Sequence, residues 1–82
     1  MYIKFSKQAV KVLSRMDAAA KQRLRQAILT LPEGDVKQLN GSNQLYRLRV
    51  GKYRVVFSYP NVQTILIEKI APRGDVYKGG LL

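Results

Sequence analysis

The hydrophobic repeat of this chain changes period at Asn43, and that change excludes both an all-helical and an all-strand fold. Up to Leu31 the apolar residues recur at helical spacing; beyond Asn43 they alternate. Ser6 is placed as a helix N-cap, followed by the stripe Ala9, Val10, Val12, Leu13 and Met16, with Lys7, Lys11 and Arg15 along another face. This helix ends near Arg15. Asp17 caps a second one, whose stripe Ala20, Leu24, Ala27, Ile28 and Leu31 runs until Pro32 stops it. Tyr2–Phe5 ahead of both suits a short strand.

In the alternating half, Leu45–Val50 and Tyr53–Tyr59 form a hairpin about Gly51–Lys52, with Tyr46, Leu48, Val50, Tyr53, Val55 and Phe57 on one face. A turn at Pro60–Asn61 leads to Val62–Ile70, whose near-continuous apolar run reads as a strand buried on both faces. Turn residues at Pro32–Asp35 and Asn40–Asn43 make Val36–Leu39 a connector. The expected fold is α+β in the order β-α-α-β-β-β: a small antiparallel-rich sheet with a helical hairpin on one face, as a single domain over residues 1–82.

With 82 residues, only one small core is affordable. There is no cysteine and no histidine, which removes disulfides, thiolate ligands and the usual general base, and makes a metal or other cofactor unexpected. No apolar run approaches a membrane span and no secretory segment opens the chain, so the expected location is the cytoplasm, without a membrane partner. Fifteen Lys and Arg against five Asp and Glu give a net charge of +10, which favours a polyanion such as nucleic acid. An acidic protein partner or solubility alone would also use this charge.

Arg47 and Arg49 share one strand face, and Arg54 falls on the same face of the next strand; planar guanidinium forks of this kind bind phosphate bidentately. The other reading of this cluster is a solvated strand face. Arg73, Tyr77 and Lys78 follow the last strand, where a tyrosine among cations can stack on an unpaired base. Glu68 and Asp75 form only a weak acid–base pair, and Glu68 is expected at a strand end in solvent.

The hairpin Y-R-L-R-V-G-K-Y-R-V-V beginning at Tyr46, the L-N-G turn at Leu39–Gly41 and the ending I-E-K-I-A-P-R-G-D-V-Y-K at Ile67–Lys78 resemble the RelE/ParE superfamily of bacterial type II toxins. The resemblance covers nearly the whole chain and implies a RelE-like microbial RNase fold. For the RelE-like branch it implies a ribosome-dependent endoribonuclease that cuts mRNA in the A site by 2′-OH attack, leaving a 2′,3′-cyclic phosphate. The ParE-like branch implies a DNA gyrase poison instead, and a third reading is a catalytically weak basic module acting through its antitoxin. Carried over residue by residue, the resemblance assigns Arg54, Arg73 and Tyr77 to catalysis, and Arg47, Arg49, Lys52 and Lys78 to RNA binding. It further implies a cognate acidic, RelB-like antitoxin, with operator DNA bound only through the toxin–antitoxin complex. Relatives often carry lysine at Arg47 or Arg49, and histidine or arginine near Ala71–Pro72. A guanidinium accepts no proton, so the proton acceptor falls to Tyr77, Lys52 or a ribosomal RNA group.

Overall fold

In the computed structural model, which describes residues 2–39 and 44–72, the order is β1 (Tyr2–Phe5), α1 (Lys7–Ser14), α2 (Ala18–Leu29), β2 (Val36–Gln38), β3 (Leu45–Val50), β4 (Tyr53–Asn61) and β5 (Thr64–Pro72). The strands form one sheet in the order β1-β5-β4-β3-β2. β1 runs parallel to β5, and the remaining pairs are antiparallel.

Both helices begin where their caps predict. The Ser6 hydroxyl accepts from the Ala9 N–H at 3.1 Å and donates to the Glu68 carbonyl at 2.7 Å, so one side chain caps α1 and ties it to β5. Gln8 extends this tie: its amide donates to the Ile70 carbonyl and accepts from the Ile70 N–H, each at 3.1 Å, taking the place of a strand residue where β1 has ended. Asp17 caps α2 by accepting from the Ala20 N–H.

The helices lie on one face of the sheet over a core of Ala9, Leu24, Ile28, Leu31, Leu48, Val50, Val55, Phe57, Ile65, Ile67 and Ile70. Ile67 and Ile70 are an odd number of residues apart and would face opposite ways in a regular strand. A bulge prevents this: Phe57 pairs with Ile67 while Val56 pairs with Lys69, so Glu68 is the extra residue and Ile70 returns to the core face. The strand expected over Val62–Ile70 runs from Thr64 to Pro72, with Ile65, Ile67 and Ile70 in the core under the helices and Ala71 in a second apolar cluster.

Three further expectations are corrected. Val36–Gln38 is a strand, not a connector, because it pairs antiparallel with Tyr46–Leu48 and sends Val36 into the core. Pro60 and Asn61 belong to β4, and the turn is Val62–Gln63, fixed by the Asn61 carboxamide accepting from the Gln63 N–H at 2.9 Å. Proline is tolerated there because β3 starts opposite Ser58, so that among the described strands none pairs with Pro60 on that side. Val10 belongs to the expected α1 stripe yet is 54% exposed. A shallow groove between the helices is lined by Phe5, Val10, Leu13, Lys21, Arg25 and Ile28.

Candidate functional site

The candidate site occupies the sheet face away from the helices. Since Leu48, Val50, Val55 and Phe57 point into the core, alternation sends Arg47, Arg49, Arg54 and Val56 to the opposite side. Arg49 stands directly across from Arg54 in the β3–β4 register, and Lys37 of β2 stands across from Arg47. The expected grouping of three arginines is therefore present. The expectation of a simple polar face is not: a second apolar cluster of Leu39, Val56 and Ala71, flanked by Leu45, lies on this side.

The three arginines occupy different environments. Arg47 is 8% exposed, and its Nη1 donates to the Asp35 carbonyl at 3.0 Å and to the Asp35 carboxylate at 3.2 Å. Its bonds are those of a scaffold residue. Arg49 is half exposed, and its Nη1 lies 3.8 Å from the other oxygen of the same carboxylate. Arg54 is 3% exposed; its Nη1 donates to the carbonyls of Tyr53 at 3.2 Å and Gly51 at 3.5 Å, and no carboxylate of the described residues pairs with it. Among the described residues this buried cation is compensated only by carbonyl dipoles, and such a cation is poised to accept an anion.

Asp35 is the residue that sequence reasoning missed. In the sequence it closes the turn signal Pro32–Asp35, and its reach to Arg47 and Arg49 depends on strand β2, which begins immediately after it. Gly34 sets its direction: its φ is +113°, and a Cβ there would lie 3.1 Å from Leu48 Cδ1, so both backbone and packing favour glycine.

Lys52 sits apart from the arginine cluster. Its Nζ is 5.7 Å from the Tyr53 ring centroid, and with Asp17, Arg23 and Tyr53 it borders a cavity of about 460 Å³ beside the start of α2. Glu68 is not a solvated strand end; it is half-buried at the bulge, accepting from the Ser58 hydroxyl at 2.6 Å. Arg73, Tyr77 and Lys78 lie outside the described residues. Among the described residues no group of three His, Cys, Asp or Glu side chains can hold a metal ion. What the arrangement offers chemically is anion binding and stabilisation of charge developing on a phosphate.

Comparison with known proteins agrees with this architecture. The family described as the ParE toxin of the type II toxin–antitoxin system parDE matches residues 3–77. The RelE1 toxin candidate of Methanocaldococcus jannaschii is 30% identical, with 93% of each chain covered. The RelE–RelB complex of Pyrococcus horikoshii matches at 33% identity and a TM-score of 0.69, covering 90% of this chain and 96% of that one. The RelB–RelE complex of Methanococcus jannaschii matches at 28% identity and a TM-score of 0.72, covering 90% and 94%. The Escherichia coli RelBE complex shares the fold at a TM-score of 0.70 with 14% identity, covering 87% and 94%. The chain therefore belongs to the ParE toxin family of type II toxin–antitoxin systems, as a RelE-like member of the RelE/ParE superfamily.

Proposed function

We propose that this toxin is a metal-independent endoribonuclease that inhibits translation by cutting mRNA on the ribosome in the cytoplasm. The observation that carries this reading is Arg54: a guanidinium 3% exposed, without a carboxylate partner among the described residues, and in register with the half-exposed Arg49. A phosphodiester placed there would gain a charge-assisted contact in a low-dielectric site, and the contact would strengthen as negative charge builds on the phosphorane. In this reading the ribose 2′-OH attacks the adjacent phosphorus and the 5′ oxygen leaves, giving a 2′,3′-cyclic phosphate and a 5′-hydroxyl. Arg54 and Arg73 stabilise the charge, and Tyr77 stacks on or orients the base. Arg49, Lys52 and Lys78 attract the strand, while Arg47 contributes by holding the face together.

The protein partner proposed is a RelB-like antitoxin, as in the solved RelE–RelB complexes of Pyrococcus horikoshii and Methanococcus jannaschii. An acidic antitoxin would neutralise much of a net charge of +10, and operator DNA would be contacted through that complex alone. The family's ParE description favours a second reading, inhibition of DNA gyrase. Primer extension on cellular mRNA after brief expression separates the two. Discrete cuts in phase with codons support the endonuclease; intact transcripts with cleaved chromosomal DNA overturn it in favour of gyrase.

A further inference from the structure

Asp35 divides its carboxylate unequally between two arginines. One oxygen is 3.2 Å from Arg47, whose side chain is 10% exposed, and the neighbouring carbonyl oxygen accepts from both the Arg47 guanidinium and the Arg49 backbone N–H, each at 3.0 Å. The other oxygen is 3.8 Å from the Arg49 guanidinium, beyond hydrogen-bond length, with both side chains about half exposed. Arg47 is thus anchored through backbone as well as side chain. Among the described residues the Arg49 guanidinium is held by charge alone, in the wet and weak regime of surface ion pairs.

We infer that Asp35 is an internal competitor for RNA phosphate: it occupies Arg49 in the free protein and must yield that guanidinium when a strand binds. The inference rests on the RNA reading of this face and adds to it the residue that tempers its affinity. A carboxylate accepts from a guanidinium fork as a phosphate does, so the two compete for the same donors. Releasing Arg49 leaves the site intact, because Arg47 keeps its bond to the Asp35 carbonyl and the backbone bond from Arg49 persists. The outcome is a face that binds a polyanion less tightly than its arginines alone would allow.

A double-mutant cycle on the full chain tests this, read as binding of a short oligouridylate at low salt. Asp35→Asn preserves shape and the carbonyl bond but removes the charge. It should tighten binding by about two- to five-fold, the range of a half-exposed ion pair. It should also steepen the dependence of log K on log salt by up to about 0.7, one phosphate contact on a single strand. In an Arg49→Ala background the same replacement should change little. Glu33→Gln, two residues away and equally charge-changing, is the control for a general field effect and should gain less. Equal gains with Glu33→Gln, equal gains in both backgrounds, weaker binding by Asp35→Asn, or no oligouridylate binding by the native chain would each overturn the inference. Should Asp35→Asn fail to fold, the native chain still decides: on titration with oligouridylate the Asp35 carboxyl carbon and the Arg49 guanidinium should shift together by NMR, and a stationary Asp35 signal overturns the proposal. Absence of mRNA cleavage counts against the proposed enzyme and leaves this result standing, since the cycle reads binding alone.

Discussion

The two faces of the sheet are made from alternate residues of the same strands, yet they are stabilised in different ways. Under the helices, Val55, Phe57, Ile65, Ile67 and Ile70 are fully buried against other apolar side chains, and volume decides what fits. On the far face Arg47 and Arg54 are buried nearly as deeply, and there hydrogen bonds and charge decide. Depth alone therefore does not separate structural residues from functional ones. The partner does: Arg47 is bound by Asp35, while Arg54 meets only backbone carbonyls among the described residues.

The comparison can be broken by replacement on either side. Phe57→Ala removes a fully buried ring and should cost about 3–5 kcal/mol, read by denaturant unfolding, enough to leave a domain of this size marginal. Arg54→Ala should lower single-turnover cleavage on programmed ribosomes by about 10²–10³-fold, about 2.7–4 kcal/mol in the barrier, and change unfolding stability by less than about 1 kcal/mol. A domain that melts with normal activity per folded molecule would reverse the assignment of Arg54 from site to scaffold. Arg47→Ala should behave in the opposite sense, costing about 1.5–3 kcal/mol in stability through its lost bonds to Asp35. Ser6→Ala should cost about 1 kcal/mol by removing the α1 cap, visible as a lowered melting temperature with unchanged cleavage. The gentlest expected effect is on pH: without histidine, cleavage should climb steadily between about pH 6 and 9 as the 2′-OH becomes easier to deprotonate, and a sharp optimum near pH 6.5 would require a titrating group from the ribosome.

Much of the packed face was legible because local signals and global fold agree there. Ser6 and Asp17 cap where the stripes begin, and Gly51–Lys52 turns the hairpin with Gly51 at a φ of +57°. Features whose own residues carry no local strand signal, or break it, were not legible. Strand β2 spans three residues between two stretches whose sequence favours turns, and owes its existence to pairing with β3, which no local pattern encodes. The bulge at Glu68 likewise reflects competition between Ile67 and Ile70 for one core face. For the candidate site, alternation revealed which face the arginines share. It could not reveal that Asp35 would claim two of them and that Arg54 would meet no carboxylate among the described residues, because that depends on where a turn delivers a side chain in space.

The parallel pairing of β1 with β5 also sets a timetable for synthesis. The Ser6 hydroxyl bonds to the Glu68 carbonyl across a separation of 62 residues, and β1 is hydrogen-bonded to no other strand of the described sheet. The hairpin of β3 and β4 closes over two residues and can form early, so the arginine-bearing strands meet before the sheet around them is finished. Ile65, Ile67 and Ile70, which complete the core, arrive only with β5. A nascent chain that has not yet extruded β5 can therefore pair its arginine hairpin and lay α2 on it, but it still lacks the three isoleucines that complete the core and the strand that β1 must find.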